Sequence, residues 1–384
     1  MMDFDLPEEI VALRDVVRRF AAEEIRPYVR QWDEEQSMPP EFLKKLGDLG
    51  ALGLMIPSEY GGAGLGHLAN AVVVEELCRQ NGSLGFLMAG HAGLCTTHLL
   101  LAANQEQRRK YLPRLATGEW MGAWGLTEPG SGSDAAALQT RAEKDGEGWR
   151  LFGQKQFITN ASFAQVFVVV ARTDPDKERK GISAFIVERG TENFGPGSKE
   201  DKLGIRSSDT CTLEMDNAHV GPEALLGELN GGFHDAMGVL ERARVGVAAQ
   251  AVGIARAALE EAITYANERE TFGKPIGKHQ AIQFMLADMA TGIAAARLLT
   301  RDAAMALDRD EDARMQGSIA KVFASEVAMK ATINAVQIHG GAGCTKDFPV
   351  ERYMRDAKVV EIGEGTSEIQ RMVIARELLK SGAA

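Results

Sequence analysis

Apolar side chains in the first part of the chain recur with the spacing of one helix face. Three or four residues separate successive apolar positions after Pro7, a residue that suits the first turn of a helix. The glycine-rich run at 61–64 reads as a loop. The pattern predicts an all-α N-terminal domain over residues 1–120. Its first apolar stripe is Ile10, Leu13, Val17, Phe20 and Ala21, and its later predicted helices cover 68–79, 85–103 and 105–111.

The pattern changes near Trp120 to short apolar segments that turn-forming residues separate. The segments are rich in β-branched and aromatic side chains, which favour strands, and clusters such as 145–148 favour turns. We therefore expect a middle antiparallel β domain, a barrel or sandwich, over residues 121–228. The segments cover 149–152, 157–158, 164–171, 182–188 and 211–215.

Helical spacing returns in the last part of the chain. Residues 240–269 contain no proline and carry a stripe of alanine and glycine that permits close helix contact, and 277–308 and 312–339 are of the same kind. The pattern predicts a C-terminal helical bundle over residues 229–384, with some helix faces buried against another subunit. The fold class is α+β, mainly α, without the βαβ alternation of a dinucleotide-binding fold.

Composition and charge narrow the function classes. The 384 residues include 54 acidic and 43 basic ones, and the net charge of −11 argues against a nucleic-acid partner, which needs a basic surface. We expect no membrane span, because no apolar run approaches roughly 20 residues, and no secretory signal, because the first residues are acidic. The widely spaced cysteines predict free thiols, no metal site and a cytoplasmic location. They are Cys78, Cys95, Cys211 and Cys344.

One carboxylate, Glu364, lies between two glycines near the C-terminus. Gly363 and Gly365 permit positive φ or close approach to a flat ligand, and Thr366 and Ser367 read as the N-cap of a helix over 368–379. A base on such a hinge could reach a substrate. An acidic residue in an ordinary turn would have the same sequence, so that alternative stays open.

Four other motifs have functional readings. Hydroxyls and glycine amides at 124–134 can wrap a polar ring edge and a phosphate, and Phe157 beside Thr159 can stack on a flat cofactor. Arg269 offers a planar fork to a pyrophosphate, and the glycines after Gln337 can bring bare backbone to a cofactor. Taken singly, each motif also has a purely structural reading: 124–134 as a surface loop, the segment around Phe157 as a strand end, and the stretches at Arg269 and Gln337 as helix C-termini.

Taken together, these stretches resemble the acyl-CoA dehydrogenase family over nearly the whole chain. The order and spacing of the motifs carry the resemblance, since any one of them alone is weak. The motifs are Leu126-Thr127-Glu128-Pro129, Gly132-Ser133-Asp134, Ile158-Thr159-Asn160, Arg269 with Phe272-Gly273 and Pro275-Ile276, Gln280, Gln337 with Gly340-Gly341, Arg355-Asp356, and Glu364-Gly365-Thr366-Ser367.

The resemblance implies a fold and a reaction. The family has an N-terminal helical domain, a middle β domain and a C-terminal four-helix bundle, and its members are usually homotetramers with FAD between subunits. The reaction removes the α-proton of an acyl-CoA thioester and passes the β-hydrogen as hydride to the flavin. Electrons then pass to an electron-transferring flavoprotein. The thioester carbonyl takes hydrogen bonds from the flavin ribityl chain and from the backbone N–H of the base.

The resemblance also implies site residues. Glu364 matches the catalytic base, and Ala243 closes the alternative base position that some members use. Ser133, Glu241, Arg244 and Gly365 match substrate contacts. The implied FAD contacts are Trp124, Leu126, Thr127, Ser133, Phe157, Thr159, Thr366 and Glu368, with Arg269, Phe272, Gln280, Gln337 and Gly341 from a neighbouring subunit and Thr271 and Gly340 beside these.

Three departures from the family pattern bear on the substrate and the electron acceptor. Gly363 stands where Tyr is common, which predicts a wider pocket and a branched, cyclic or bulky acyl group. Phe157 stands where many members have Trp, and Cys344 where an aromatic is common. Residues 82–91 contain no Arg, which argues against a decarboxylating enzyme. An oxidase of related fold that uses dioxygen, and a non-catalytic protein that kept the fold, remain as alternatives.

Overall fold

The computed structural model describes residues 6–381. Residues 1–5, where the sequence predicts no secretory signal, and residues 382–384 lie outside the described part. Helices, then strands, then helices follow one another along the chain, which confirms the predicted fold class. The predicted domain limits at 120 and 228 stay predictions.

The N-terminal helices pack around a central, fully buried one. In α4, each residue from Leu68 to Cys78 is buried, because α1, α8 and α9 surround it. Gly253 of α8 lies so close to α4 that a Cβ there would be 2.5 Å from the Glu75 carbonyl oxygen. Small residues on α8 thus allow the close contact that the sequence predicts. The helices are α1 (Glu8–Glu24), α2 (Val29–Glu35), α3 (Pro40–Asp48), α4 (Gly66–Cys78), α5 (Ser83–Met88), α6 (Thr97–Ala102) and α7 (Gln105–Ala116).

A π-helical segment, Ala89–Thr96, joins α5 to α6 into one continuous helix. It corresponds to the helix predicted at 85–103. A π-helix has more residues per turn than an α-helix, so residues four apart stay closer to one face. Phe86, Gly90 and Leu94 accordingly line one cavity.

The middle domain is built on one eight-stranded sheet with strand order β6-β7-β3-β2-β4-β5-β8 and β1 beside β4. Most pairs are antiparallel, as predicted, but β1 and β2 both run parallel to β4. Sequence patterns missed β1, β2, β6 and β8 because they are short or lack a run of β-branched residues. The strands are β1 (Gly122–Gly125), β2 (Arg141–Asp145), β3 (Gly148–Thr159), β4 (Val166–Arg172), β5 (Ile182–Glu188), β6 (Phe194–Lys199), β7 (Thr210–Val220) and β8 (Leu225–Leu226).

The C-terminal helices pack on α8 and α10, which make the most extensive contact in the fold. A two-stranded hairpin of β9 (Glu270–Thr271) and β10 (Lys274–Pro275) connects α8 to α9. The helices are α8 (Gly232–Glu268), α9 (Gln280–Asp308), α10 (Arg314–His339), α11 (Val350–Ile362) and α12 (Ser367–Ser381).

Two helices are long and apolar enough to cross a membrane by length and composition alone. Ser83–Ala102 is mostly buried inside the protein, whereas Gln280–Asp308 is mostly exposed on the single chain. Core helices of water-soluble proteins pass the same test. The expected absence of a membrane span therefore stays a prediction.

Candidate active site

A cavity of about 1590 Å³ lies between the middle domain and the C-terminal helices. A pocket for one drug-sized ligand usually measures about 300–1,000 Å³, so this one has room for a flat cofactor and a second ligand. Several regions of the chain line it, among them the loop after β1, the end of β3, the segments after β4 and β6, the helix from α5 to α6, the first turns of α8, and the connection between α11 and α12.

Glu364 lies on the turn between α11 and α12, and its side chain lines the cavity. Glu364 has φ +55° and Gly365 has φ +91°, two successive left-handed residues. A non-glycine residue in this region is strained and keeps the conformation only where its surroundings enforce it. The Thr366 hydroxyl accepts a long hydrogen bond of 3.4 Å from the Ile369 N–H, which confirms the predicted N-cap.

The electrostatic environment of Glu364 suits a base. Burial raises the pKa of its carboxyl to about 7, while the nearby charges of Lys321 and Arg244 oppose that rise. Within residues 6–381 the carboxylate has no hydrogen-bond or ion-pair partner. The group therefore exchanges protons near neutral pH, as a general base needs to.

Two side chains that the sequence did not single out hydrogen-bond the backbone of the turn that carries Glu364. The Lys321 ammonium on α10 donates to the carbonyl oxygens of Glu361 and Gly365, both at 2.9 Å. The Gln370 amide on α12 donates to the carbonyl of Gly365 at 2.9 Å and to that of Glu364 at 3.3 Å. Both side chains are fully buried. Nothing in the spacing of the sequence pairs residues 321 and 364.

The residues predicted for the flavin side of the site lie together on the middle domain. All six line the same cavity as Glu364, and the hydroxyls among them have no hydrogen-bond partner in the described chain. Free hydroxyls at a cavity wall fit the polar edge of a ring system. The six are Trp124, Leu126, Thr127, Ser133, Phe157 and Thr159.

Phe157 projects from a bulge in β3. The register between β3 and β7 shifts between Lys155 and Ile158, and Phe157 has φ +60°. A bulge redirects a side chain, and here the aromatic ring is 57% exposed at the cavity. An exposed phenyl ring beside free hydroxyls can stack on a flat ligand.

A buried ion pair fixes the loop after β1. The Lys155 ammonium donates to the Glu128 carboxylate at 2.7 Å and to the Leu126 carbonyl at 3.1 Å. The same carboxylate accepts from the N–H groups of Gln139 at 2.6 Å and Thr140 at 2.9 Å. Glu128 belongs to a motif that the sequence singles out, yet its pairing with Lys155 is visible only in the fold.

The predicted substrate contacts also line the cavity: Ser133, Glu241, Arg244 and Gly365. Arg244 is buried and donates to the Ser318 hydroxyl at 3.0 Å. Four more cations line the cavity and form no ion pair with any described residue: Arg179 and Lys180 in the segment after β4, Lys202 after β6, and Arg242 on α8. This part of the cavity suits an anionic ligand.

The space beside Gly363 is occupied. Gly363 has φ −61°, which any residue can adopt, but a Cβ there would lie 2.6 Å from the Phe86 ring. A side chain at this position would therefore have to push the Phe86 ring aside, although the backbone itself would accept it. The Phe86 ring occupies the space into which the first carbon of a side chain at position 363 would project.

The remaining predicted cofactor contacts lie away from the cavity on the single chain. Phe272, at the tip of the β9–β10 hairpin, is 95% exposed. Glu368 is exposed in the first turn of α12, whereas Thr366 does line the cavity. Exposure is what a contact to a neighbouring subunit would require, and these assignments stay predictions. The exposed or half-exposed set is Arg269, Thr271, Phe272, Gln280, Gln337, Gly340, Gly341 and Glu368.

The fold thus places one buried carboxylate, Glu364, at the wall of a cavity with room for a flat cofactor and a second ligand. Over residues 6–381, no group of three His, Cys, Asp or Glu side chains could hold a metal ion. Three family models match the chain: the acyl-CoA dehydrogenase N-terminal domain at 7–119, its middle domain at 123–218 and its C-terminal domain at 230–379. The chain belongs to the acyl-CoA dehydrogenase family, and it is an oxidoreductase.

Named relatives are similar to this chain along almost their full length. An acyl-CoA dehydrogenase of Bacillus subtilis is 46% identical over 372 residues, covering 97% of this chain and 98% of the relative. Butyryl-CoA dehydrogenase from Megasphaera elsdenii superimposes with a TM-score of 0.97 at 40% identity, covering 98% of this chain and 100% of its own. A chain from a structure of the electron transferring flavoprotein of Acidaminococcus fermentans has a TM-score of 0.97 at 44% identity, covering 99% and 100%.

Proposed function

We propose that this protein is a FAD-dependent acyl-CoA dehydrogenase that converts an acyl-CoA thioester to the trans-2-enoyl-CoA. The observation that carries the proposal is Glu364, a carboxylate on a left-handed turn that faces the cavity with a pKa of about 7. The α-proton of a thioester is weakly acidic. Its removal needs a base whose pKa lies near the working pH and which is held against the substrate.

The middle-domain wall supports FAD as the cofactor. The Thr127, Ser133 and Thr159 hydroxyls are free within the described residues, and the Phe157 ring stands beside them. These groups would bind the ring edge and cover one face of the flavin. When bound, FAD would accept the β-hydrogen together with its electron pair.

Glu364 would do two things in the reaction. Its carboxylate takes the proton as the Cα–H bond breaks, and the electrons of that bond become the second bond between Cα and Cβ. Its backbone N–H makes no hydrogen bond in the described chain, so it is free to donate to the thioester carbonyl as negative charge develops there. One such preorganised donor lowers a barrier by about 3–4 kcal/mol in comparable sites.

The cations along the cavity support CoA as the anionic part of the substrate. Arg179, Lys180 and Arg242 would hold phosphates, while Glu241 and Arg244, which line the same cavity, would contact the adenosine and pantetheine parts of CoA. Near the base, the Phe86 ring limits the width of the acyl pocket. Together with the relative named butyryl-CoA dehydrogenase, this favours a short acyl chain, against the branched or bulky group that Gly363 alone predicts.

Exposed apolar surface supports the homotetramer. Phe284 on α9 is 61% exposed, and Phe272 projects from the neighbouring hairpin. These surfaces would be covered by other subunits, which would bring Arg269, Gln280 and Gln337 to a neighbour's FAD. The relative in the structure of an electron transferring flavoprotein supports such a protein as the electron acceptor. We keep a cytoplasmic location as part of the proposal.

The test is anaerobic bleaching of the bound flavin by a panel of straight and 2-branched acyl-CoAs, with wild type beside Glu364→Gln. Bleaching that requires Glu364 establishes the reaction, and the fastest thioester identifies the acyl group. No bleaching by any thioester, with flavin bound, would refute the proposal. A purified protein without flavin absorbance would favour the non-catalytic alternative.

The oxidase alternative is separated by the oxidative half-reaction. The reduced enzyme is mixed either with dioxygen or with an electron-transferring flavoprotein, and reoxidation is followed in both cases. We expect fast reoxidation only by the flavoprotein. Fast reoxidation by dioxygen, with release of hydrogen peroxide, would favour the oxidase.

A further inference from the structure

Lys321 is a buried cation that the reaction itself does not require. Its side chain on α10 is 0% exposed, and its ammonium reaches the carbonyl oxygens of Glu361 and Gly365. These two residues lie on either side of Glu364. The lysine therefore joins the end of α11 to the start of α12 across the turn that carries the base.

The turn needs such support because its backbone is strained. Glu364 and Gly365 both have positive φ, and a non-glycine residue keeps such a conformation only where its surroundings enforce it. Lys321 and Gln370 are the two side chains that hydrogen-bond the turn's carbonyls among the described residues. They approach from different helices, α10 and α12, so neither replaces the other.

Lys321 differs from Gln370 in carrying charge. Burial lowers the pKa of Lys321 to about 8, while Glu364 and Glu361 oppose that change, so the ammonium form prevails at neutral pH. The charged groups around the base are Lys321 on α10 and Arg244 on α8. Around Lys321 they are Glu364, Glu361, Glu368 and Arg244.

The lysine is close to the base without being paired to it. In the described chain its ammonium makes hydrogen bonds to backbone carbonyls alone, and the Glu364 carboxylate remains free. A direct pair would hold the carboxylate in its ionised form and away from the substrate. A lysine turned towards carbonyls instead stabilises the ionised base through space while leaving its oxygens available.

We propose that Lys321 is a positioning residue that holds the Glu364 turn in its left-handed conformation and, through its charge, sets the pH at which Glu364 becomes a base. The proposal deepens the function proposed above and rests on it. Arg314, at the start of α10, also lines the cavity, but it is paired with Asp312 and is not among the charges that shift the pKa of Glu364.

The test compares the purified holoenzyme with Lys321→Met and Lys321→Gln. The rate of anaerobic flavin reduction at saturating acyl-CoA is measured against pH, with flavin content and melting temperature recorded for each variant. Since a nearby cation favours the carboxylate, its removal raises the pKa of Glu364. We expect the pH at which the rate rises to move upwards in both variants, so that the rate at pH 7 falls several-fold. In Lys321→Gln, alkaline pH should restore the rate.

Gln370→Met is the matched control. It also removes a hydrogen bond to the Gly365 carbonyl, but it removes no charge. We expect it to lower the rate at every pH without moving the midpoint. An equal shift in Gln370→Met would assign the effect to the hydrogen bonds and overturn the electrostatic part of the proposal.

A second readout follows Glu364 without turnover. Infrared difference spectra, with Glu364→Gln as the reference, report the protonated carboxyl directly, and the band should persist to higher pH in both Lys321 variants. An unchanged midpoint and an unchanged band in folded, flavin-loaded variants would overturn the proposal. Failure of both neutral variants to fold, where Lys321→Arg folds, would also overturn it, because Lys321 would then be a folding residue.

The two proposals fail in different ways. If the wild-type flavin is not bleached by any acyl-CoA, the proposed function fails. If wild type is bleached and the Lys321 variants share its pH profile, only the present inference fails.

Discussion

Two carboxylates of the site lie beside buried lysines, and the two arrangements have opposite effects. Glu128 pairs directly with Lys155 at 2.7 Å on the flavin-side wall. Glu364 lies near Lys321, but that lysine is bound to backbone carbonyls. One carboxylate is thereby fixed in the protein, and the other is left free at the cavity.

Hydrogen bonding explains why the two pKa values differ. Burial by itself would raise the pKa of both carboxyls. For Glu128, the charge of Lys155 and the N–H groups of Gln139 and Thr140 more than offset it, so the pKa is lowered. For Glu364, two charges at a distance offset it only in part, and the pKa rises to about 7. A buried lysine that pairs directly with a carboxylate lowers the pKa of that carboxyl and fixes it in place. A buried lysine that binds backbone carbonyls instead leaves the nearby carboxylate free, with a raised pKa.

The largest expected effect is the loss of the free carboxylate. Glu364→Gln keeps the size of the side chain and removes the base, and we expect flavin reduction to slow by about 10⁴-fold. Stopped-flow bleaching under anaerobic conditions measures it. Flavin content and melting temperature should match wild type, and a rate within tenfold of wild type would show that another group takes the proton.

The paired carboxylate should instead matter for stability. Glu128→Gln leaves the Lys155 charge buried without its partner, and we expect a loss of about 3–5 kcal/mol in the free energy of unfolding. Urea denaturation measures it. In wild type the contribution of Glu128 is present above its unfolded pKa of 4.5 and is lost as pH falls through its lowered folded pKa.

The double variant Glu128→Gln with Lys155→Met controls for the unpaired charge. It removes both charges, so we expect it to recover part of the lost stability. A double variant no more stable than Glu128→Gln would show that the hydrogen bonds to Gln139 and Thr140 matter more than the ion pair.

The pH dependence of the wild type distinguishes the two carboxylates within one experiment. The reactive form of Glu364 is ionised, so with a pKa of about 7 the rate of flavin reduction should rise about tenfold from pH 6 to pH 8. Glu128 titrates far below that range and should contribute nothing to it. A flat profile between these values would mean that Glu364 has an ordinary carboxyl pKa.

The smallest expected effect concerns the packing beside the free carboxylate. Gly363→Ala places a methyl group against the Phe86 ring and pushes it, which should change the preference between short straight and 2-branched acyl-CoAs by several-fold. Phe86→Leu should relax the same contact and shift the preference the other way. Ratios of kcat/KM across the two substrates measure both, and equal ratios in all variants would exclude this contact as a determinant.

Much of the site follows from the sequence because its parts are local. Thr366 and the glycines beside Glu364 occupy adjacent positions, and turn chemistry at such spacing is readable directly. The strands with β-branched runs, such as β4 and β5, were predicted for the same reason. Strands β1 and β6 were missed because β1 is only four residues long and β6, with the sequence FGPGSK, lacks a run of β-branched residues.

By itself, the sequence determined the order of the helical and β regions and the family, because these depend on periodicity and on motifs a few residues long, and it led to the prediction that Glu364 is the base. Only the tertiary structure decided that the Phe86 ring lies against Gly363, that Lys155 pairs with Glu128, and that Lys321 binds the carbonyl oxygens on either side of Glu364. These contacts join residues 27 to 277 positions apart, as the differences 155 − 128 and 363 − 86 give. Burial and charge act through space, so the pKa of a carboxyl depends on which side chains the fold brings around it and what those side chains already bind.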